Sequence, residues 1–279
     1  MGLISSGTKI PFTKMAGAGN DFIMVDNVRN TYDLDWRTFA VRSCALKTGI
    51  GADGVIVIGQ DARTDFTFRI FNADGSEAEM CGNGARCAAL FAYQHGLVRE
   101  TMRFRTLAGI IGARINSQDV AIEMTDPFGM ETGIAIDVAG RKTTVHFINT
   151  GVPHTVIFSD HVADEPVFEL GRAVRNHSHF APGGTNADFV QVLSPDRIHV
   201  RTYERGVENE TYACGTGAVA AAIVSAHLGK VSGVPVSVRT QGGELKIDFK
   251  KTNGSYSQIW LMGPVDTVFT GEIVFRPGK

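Results

Sequence analysis

Short apolar runs, alternating or continuous, make up most of this chain, and two longer apolar runs stand between them. Segments such as "GVIVIG", "VAIEMT", "VSVRT" and "ELKIDF", and the stretches 66–72 and 198–204, have the lengths and boundaries of β-strands. The longer runs, "ARCAALFAYQHGL" and "AVAAAIVSAHLG", have the lengths of helices and reach Gly96 and Gly229, residues typical of a helix end. The pattern therefore predicts an α+β fold rich in strands, with two principal helices.

The same plan occurs twice along the chain. "GAGNDFIMVD" aligns with "GVPHTVIFSD" at an offset of 134 residues. Further on, "RIFNADGSEAEMCGNGARCAA" aligns with "RTYERGVENETYACGTGAVAAA". Here the offset is 132 at Arg69 and Arg201, and one inserted residue makes it 133 at Cys81 and Cys214. Self-similarity of this kind is the sign of a duplicated structural unit.

We therefore expect two similar α+β domains related by an approximate two-fold axis. Each would be a curved, mostly antiparallel sheet or barrel around one central helix, which begins just after Cys-Gly-x-Gly. The turn-rich stretch 125–133 is the predicted connector. It gives an N-terminal half of residues 1–126, joined by a C-terminal strand at 270–279, and a C-terminal half of residues 127–269. A cleft between such halves is a common place for a ligand.

Composition and charge exclude several classes of function. The chain has 279 residues, with 27 Lys and Arg against 29 Asp and Glu and no long run of either sign, so no surface for nucleic acid is predicted. No apolar stretch approaches the roughly 20 residues of a membrane span, and no secretory signal is present, so we expect a soluble, cytoplasmic protein without a membrane partner. Residues 1–6 formally fit a myristoylation pattern, but a leader before a strand at Lys9–Met15 is the better interpretation.

The four cysteines are poorly placed for structural roles. A chain of this size does not need disulfides, and nothing marks it as secreted. Cys81 and Cys87 are separated by five residues, unlike the short hooks of zinc sites. His177 and His179 resemble a metal pair, but no third ligand is spaced to complete it, so no metal is expected.

Cys81 and Cys214 stand at the predicted mouths of the two helices. The first amides of a helix attract negative charge, and a thiol placed there becomes more acidic. The adjacent glycines allow close approach of a carboxylate to the amides. Two such thiols on opposite faces of one carbon could remove and return a proton and so invert a stereocentre, without a cofactor. No dinucleotide or phosphate loop is present, because the Gly17-Ala18-Gly19 stretch leads into a strand and is better interpreted as a turn.

Six segments taken in order resemble the diaminopimelate epimerases: "KMAGAGNDFIMVDN", "GIGADGVIVI", "RIFNADGSEAEMCGNGARCAA", "NTGVPHTVIF", "GGTNADFVQV" and "YERGVENETYACGTGAVAAA". The resemblance runs from about Lys9 to Phe275. It implies a cofactor-independent enzyme that interconverts LL- and meso-diaminopimelate for lysine and peptidoglycan-precursor synthesis. A homodimer is compatible with this family.

The resemblance also implies the roles of individual residues. Cys81 and Cys214 would be the catalytic acid and base, and His154 and Glu204 would adjust the acidity of the cysteines and hold the substrate ammonium. The remaining contacts would be the amides of Gly82, Asn83, Gly215 and Thr216 at the reacting carboxylate, with Asn72, Asn186 and Arg205 at the distal head and Asn20 in the same pocket. A doubly headed substrate fits this set, since one head needs the helix mouths and the other an arginine and amides.

Two positions depart from the pattern of some family members. Gly54 stands where a glutamine can follow the aspartate of "GADG", and Val152 stands where an asparagine can precede Pro-His. Each change removes a side-chain amide from the region of the distal head. The inserted residue between Arg205 and Cys214 only lengthens a loop.

Other interpretations stay open at this point. A racemase of the same duplicated fold could act on proline, hydroxyproline or histidine, and a thiol or metal-binding protein could use the cysteines as ligands or as a redox switch. Cys44 and Cys87 are expected in the core, where cysteine is often buried. Several candidate residues also have ordinary structural explanations, as turn formers, a loop cation or a packed imidazole: Asn72, Asn186, Arg205 and His154.

Overall fold

The structure is a computed structural model that describes residues 7–116 and 119–276. The formal myristoylation pattern at residues 1–6 lies outside these residues. Contacts divide the chain into two compact units, residues 1–120 with 265–279 and residues 121–264. The domain bounds expected from the sequence, 1–126 with 270–279 and 127–269, stay a prediction. No helix in the described part of the chain is long and apolar enough to cross a membrane.

Strands dominate the described residues, with four α-helices among them. The α-helices are α1 (Trp36–Ser43), α2 (Gly82–Gln94), α3 (Val167–Arg175) and α4 (Gly215–His227). The strands are β1 (Thr8–Gly17), β2 (Asn20–Asn27), β3 (Gly54–Gly59), β4 (Phe66–Asn72), β5 (Glu77–Ala78), β6 (Thr101–Thr106), β7 (Gly109–Asn116), β8 (Asp119–Glu123), β9 (Phe128–Val138), β10 (Arg141–Asn149), β11 (Pro153–Phe158), β12 (Asn186–Ser194), β13 (Arg197–Glu204), β14 (Asn209–Thr211), β15 (Val236–Thr240), β16 (Gly243–Thr252), β17 (Ser255–Gly263) and β18 (Asp266–Phe275).

The first unit contains a mixed sheet in the order β18-β1-β2-β3-β4-β6-β7. The β2–β3 and β4–β6 pairs are parallel, and the other neighbours are antiparallel. β1 and β2 form a hairpin through Ala18 and Gly19, whose φ angles of 49° and 88° are typical of a tight two-residue turn. This confirms that the Gly-x-Gly stretch is a turn.

The second unit repeats this arrangement in the order β9-β10-β11-β12-β13-β15-β16-β17. β11–β12 and β13–β15 are the parallel pairs, so pairing directions match those of the first unit at each step from β9 to β16. The expected α+β fold, built from two similar and mostly antiparallel sheets, is confirmed.

Each unit buries one apolar helix, α2 or α4. Both helices have 13 residues and begin at the first glycine of the motif, at Gly82 and Gly215. The expectation that they begin just after Cys-Gly-x-Gly was therefore wrong, because the cysteine is itself the N-cap and the glycines form the first turn. At the other end, Gly96 and Gly229 have φ angles of 68° and 67°. These left-handed residues close both helices as predicted.

Two shorter helices, which were not predicted, cover the outer faces of the sheets. α1 begins after Asp35, whose side chain accepts a hydrogen bond from the Arg37 N–H at 3.2 Å. It packs Trp36 and Phe39 against a cluster that includes alternate residues of β2 and β3. α3 lies against β12 and β13, with Val167, Val174 and Tyr203 in its core cluster. Consecutive residues of β3 and β12 are buried because a helix packs on each face of the sheet at these strands.

The predicted connector is shorter than expected. Residues 125–127 have no regular structure, but β9 begins at Phe128, which pairs with Asn149 of β10. Only the first part of the stretch 125–133 is therefore a connection. Gly129 and Gly133, which suggested a turn in the sequence, have φ angles of 63° and 75° within this strand, and the β9–β10 register shifts beside them.

Candidate active site

Cys81 is the N-cap of α2 in the first unit. Its backbone is extended, with φ −139° and ψ 122°, and its carbonyl accepts the first helical hydrogen bond, from the Ala85 N–H at 2.7 Å. The amides of Gly82, Asn83 and Gly84 follow directly and have no acceptor within the helix. The partly exposed thiol therefore lies beside the positive end of a helix dipole, a setting that suits an anion.

Hydrogen bonds fix the first turn of α2 to the start of β2. The Asn83 Nδ2 donates to Oδ1 of Asn20 at 2.8 Å, and the Asn20 Nδ2 donates to Oδ2 of Asp53 at 2.8 Å. The Asp53 N–H returns a bond to Oδ1 of Asp21 at 2.9 Å. Two of the predicted residues, Asn20 and Asn83, are thus in direct contact. Asn83 is buried, and the hydrogen bonds of its side chain hold the first turn of α2 in place.

Asn72 is exposed at the end of β4 and belongs to the loop before Cys81. Its Nδ2 donates to Oγ of Ser76 at 2.9 Å, and its N–H donates to the carbonyl of the same residue at 2.8 Å. Gly54 lies opposite Asn72 in the β3–β4 ladder. A Cβ at Gly54 would lie 2.7 Å from the carbonyl oxygen of Phe71. The close approach of the Phe71 carbonyl therefore explains why a glycine, and not a residue with a side chain, stands at position 54.

Cys214 is the N-cap of α4 in the second unit, with φ −111° and ψ 113°. Its Sγ lies 3.4 Å from Oγ1 of Thr216, which lies 2.9 Å from Nε2 of His154. The other imidazole nitrogen, Nδ1, lies 2.8 Å from Oδ2 of Asp188, and both side chains are 0% exposed. Since a carboxylate oxygen only accepts, Nδ1 carries a proton toward Asp188. A continuous polar chain therefore runs from the thiol to a buried carboxylate.

Asn186 begins β12, and Glu204 and Arg205 stand at and just after the end of β13. The Asn186 Nδ2 donates to the carbonyl of Pro153 at 2.9 Å and lies 3.5 Å from His154 Nε2, while its Oδ1 accepts from the Arg205 N–H at 2.8 Å. The Arg205 Nη1 donates to the carbonyl of Gly183 at 3.2 Å. Glu204 accepts a hydrogen bond from Oγ1 of Thr211 at 2.6 Å. Asn186 therefore ties the imidazole to the backbone that carries Arg205.

The acidity of Cys214 differs from the expectation for a helix mouth. Burial raises the pKa of its thiol well above the usual value, and the negative charges of Glu204 and Asp188 raise it further. Hydrogen bonds with the Thr216 side chain and the Gly217 N–H act in the opposite direction but are weaker. The prediction that the helix N-terminus makes this thiol more acidic was wrong for Cys214, because desolvation of the charged form outweighs the dipole.

The other two cysteines are core residues. Cys44 and Cys87 are buried, and burial raises the pKa of each thiol to about 12. A thiol of this kind is inert near neutral pH. None of the described residues form a group of three or more His, Cys, Asp or Glu side chains that could hold a metal ion.

The two helix mouths are built alike. In each, the second helical residue bonds a side chain at the start of the matching strand: Asn83 with Asn20 in one unit, and Thr216 with His154 in the other. The third helical residue is a glycine packed against the sheet. A Cβ at Gly217 would lie 2.4 Å from Oδ1 of Asp188. Each mouth offers one thiol and the first amides of a helix, a combination suited to a carboxylate next to an acidic C–H group.

Comparison with known proteins identifies the family. The sequence model of the family described as "Diaminopimelate epimerase" matches residues 12–130 and 146–268. The diaminopimelate epimerase of Aquifex aeolicus is 45% identical over 274 residues, which cover 94% of this chain and 97% of that protein. The diaminopimelate epimerase of Hydrogenobaculum sp. is 41% identical over 277 residues, covering 95% and 98%. The chain belongs to the diaminopimelate epimerase family.

Solved structures show how widely this epimerase fold is shared. A PhzF-family phenazine biosynthesis protein of Bacillus anthracis superposes with a TM-score of 0.75 at 15% identity, covering 96% of this chain and 100% of that one. A probable proline racemase of Agrobacterium radiobacter with bound carbonate has a TM-score of 0.67 at 15% identity, covering 96% and 94%. At such low identity these two likenesses establish the fold alone.

Within the epimerase fold, the predicted site residues fall into two groups. Asn20, Asn72, Gly82 and Asn83 accompany Cys81 in the first unit, whereas His154, Asn186, Glu204, Arg205, Gly215 and Thr216 accompany Cys214 in the second. Sequence reasoning missed Asp188, which orients His154, and Asp53, which holds Asn20. A signal existed for Asp188 alone, since an aspartate inside the apolar strand "ADFVQV" has to be paired when it is buried.

Proposed function

We propose that this protein interconverts LL- and meso-diaminopimelate by proton transfer at one α-carbon, with Cys81 and Cys214 as the two proton-transfer groups and no cofactor. The observation that carries the proposal is the repeated helix mouth, in which a partly exposed cysteine is the N-cap of a buried helix in each duplicated unit. Family membership supports the substrate, since the relatives at 45% and 41% identity are diaminopimelate epimerases.

The mechanism needs one thiol on each face of the reacting carbon. A thiolate removes the α-proton from one face, a planar carbanion forms beside the carboxylate, and the opposite thiol returns a proton to the other face. The amides of Gly82, Asn83, Gly215 and Thr216 are the donors proposed for the charge that develops on that carboxylate. The direction of the reaction decides which thiol acts first, and the second thiol is left as a thiolate.

The protonation of Cys214 assigns the roles in the unliganded enzyme. Because burial and two carboxylates raise the pKa of its thiol, Cys214 carries its proton near neutral pH. When this form binds substrate, Cys81 therefore removes the proton and Cys214 donates one. The reverse direction starts from the form that this step leaves, in which Cys81 is the thiol and Cys214 the thiolate. The chain from Thr216 through His154 to Asp188 holds the donor in place and keeps the imidazole in one tautomer.

The distal amino-acid head requires a polar pocket away from the thiols. We assign its recognition to Asn72, Asn186 and Arg205, with Asn20 beside them and Glu204 at the substrate ammonium. Support comes from the second unit, where Asn186 fixes the backbone of Arg205 at 2.8 Å. A cytoplasmic location, a homodimer and a place in lysine and peptidoglycan-precursor synthesis complete the proposal.

Incubation with LL-diaminopimelate in deuterated water tests the proposal. We expect the meso isomer to form and deuterium to enter at the α-carbon, measured by chiral chromatography and mass spectrometry. Either Cys81→Ala or Cys214→Ala should abolish isomer formation. L-Proline and trans-4-hydroxy-L-proline are the matched controls, because structural neighbours include a probable proline racemase and a hydroxyproline epimerase. Turnover of these substrates in place of diaminopimelate would contradict the proposal.

A further inference from the structure

Arg86 is a completely buried cation on the helix that begins after Cys81. Its side chain is 0% exposed and is the largest of the fully buried residues. The Nη2 group donates to Oδ1 of Asn83 at 2.9 Å, and Nη1 donates to the carbonyl of Gly82 at 3.4 Å. Nε has no hydrogen-bond partner among the described residues. The guanidinium thus bonds two neutral oxygen atoms of the first helical turn, although a buried charge is costly without a counter-charge.

Few charged groups surround this guanidinium. Cys81, Cys87 and Asp119 act on it electrostatically. Cys87 stays a neutral thiol, because burial raises its pKa to about 12, and Asp266 acts on Cys87 in the same direction. Two further groups that act on Arg86, Cys81 and Asp119, would be negatively charged when ionised.

The other ionic side chains on strands that pack against α2 have different surroundings. Lys14 of β1 and Asp21 of β2 form an ion pair at 2.8 Å, while Arg114 of β7 is exposed. The Glu77 carboxylate on β5 pairs with Arg69 of β4 at 2.7 Å. Arg86 and the helix amides therefore both supply positive charge at the start of α2.

The second unit lacks this cation. The residue 133 positions after Arg86 is Val219, which is also fully buried on α4. Cys214 instead has the carboxylates of Glu204 and Asp188 beside it. Two helix mouths of the same construction therefore differ in the sign of the charge next to the thiol: positive at Cys81 and negative at Cys214.

We propose that Arg86 is a positioning residue that stabilises the thiolate of Cys81, so that the two thiols of the unliganded enzyme hold opposite protonation states. The inference rests on the proposed function, because it explains why one thiol is ready to abstract a proton and the other to donate one. A fixed cation near a thiolate in a region of low dielectric lowers the pKa of the thiol, and a buried valine does not. The bonds from Arg86 to Asn83 and Gly82 also hold the amides of the first turn in place.

Titration of Cys81 tests this proposal directly. In a Cys214→Ala background, Cys81 is the remaining partly exposed cysteine, and its rate of alkylation by iodoacetamide is followed against pH by mass spectrometry of its peptide. Arg86→Gln should raise the apparent pKa of Cys81 by about one unit or more. Arg86→Lys, which keeps the charge, should restore most of the shift. Val219→Ala, a core substitution at the matched position of α4, should leave Cys81 unchanged.

A pH profile of kcat/KM separates this role from a structural one. In enzyme with both cysteines, Arg86→Lys should retain the acidic limb near its original position, and Arg86→Gln should move that limb to higher pH. An equal Cys81 pKa in the Gln variant and the parent, with both proteins folded by circular dichroism, overturns the inference. If the Gln variant does not fold, Arg86→Lys provides the test. A Cys81 pKa in that variant as high as the pKa of a thiol in an unfolded peptide would overturn the inference. Failure of the wild-type protein to epimerise diaminopimelate would refute the proposed function and leave the alkylation result standing.

Discussion

The acid form of Cys214 is set by neighbours that act in opposite directions. Burial and the charges of Glu204 and Asp188 raise the pKa of its thiol, whereas hydrogen bonds with Thr216 and the Gly217 N–H lower it. Desolvation is the largest of these effects, since a thiolate is poorly solvated inside the protein. The individual contributions can therefore be changed one at a time, and each change has a predicted sign.

Removal of the Glu204 charge should make Cys214 more acidic. In a Cys81→Ala background, Glu204→Gln is expected to lower the pKa of Cys214 by up to about one unit, because a nearby negative charge disfavours the thiolate. Alkylation of Cys214 at a fixed pH of about 9 should become several-fold faster. Glu210→Gln is the matched control, since Glu210 pairs with Arg201 at 2.7 Å. Slower alkylation in the Glu204 variant would contradict the assignment.

Loss of the Thr216 hydroxyl should have the opposite effect. Thr216→Val keeps the shape of the side chain but removes the contact of 3.4 Å with the Cys214 Sγ and that of 2.9 Å with His154 Nε2. The pKa of Cys214 should rise, and kcat should fall by about tenfold or more as the polar chain to Asp188 is broken. Thr216→Ser retains the hydroxyl and is expected to keep most of the activity. A valine variant that titrates like the parent would show that the hydroxyl does not act on the thiol.

Residues that belong to a repeated sequence motif could be predicted. Residues whose role depends on a contact in the folded chain were missed. Cys81 and Cys214 could be predicted to lie near the starts of two helices because the motif recurs with a glycine after each cysteine, although the helices begin earlier than predicted. Asp188 has no such repeat, and its one signal is a charged residue inside an apolar strand. Arg86 has no repeat either, and its importance comes from burial, which the one-dimensional pattern does not show. The acidity of Cys214 was misjudged for the same reason, because the dipole can be predicted from the helix but the desolvation cannot.

At the scale of elements, α2 and α4 have the features that allow a helix to be predicted from sequence. Both helices are apolar around most of their surface, end at a left-handed glycine and pack directly on the sheet. Their length and flanking residues therefore predict them. α1 and α3, of 8 and 9 residues, were missed because short helices give weak periodic signals and depend on packing for their stability.

The second glycine of each motif, the third residue of the helix, is an element-scale requirement. A Cβ at Gly217 would lie 2.4 Å from the Asp188 Oδ1, in a region where both groups are buried, whereas a Cβ at Gly215 would meet only Leu261 at 3.6 Å. Gly217→Ala should therefore lower the free energy of unfolding by about 1–3 kcal/mol, as an overpacked core does, and also disturb the His154–Asp188 pair. Gly215→Ala is the control for stability. Equal melting temperatures for the two variants, measured by circular dichroism, would refute the packing argument.

At the scale of the whole molecule, duplication supplies the same scaffold twice, and substitution then makes the copies unequal. The sheets share their order and pairing directions, and the helices share their length, a cysteine N-cap and a left-handed glycine after the last turn. The differences at the helix mouths include Arg86 against Val219, both buried, and the partly exposed Asn20 against the buried His154. The proposed reaction starts from one thiol and one thiolate, because two thiols in the same protonation state could not remove and return a proton in one turnover. Unequal surroundings favour one of the two possible distributions of that proton.

If both thiols belong to one site in one chain, inactive variants should not complement each other. Cys81→Ala and Cys214→Ala, mixed in equal amounts, denatured together and refolded, are expected to show the background rate of the separate proteins, because each chain lacks one of the two proton-transfer groups. Wild-type protein carried through the same treatment controls for recovery of folding. Formation of the meso isomer by the mixture, well above the rate of either variant alone, would show that the two cysteines come from different chains. The assay thus separates a duplicated monomeric site from one assembled between subunits, whatever the oligomeric state.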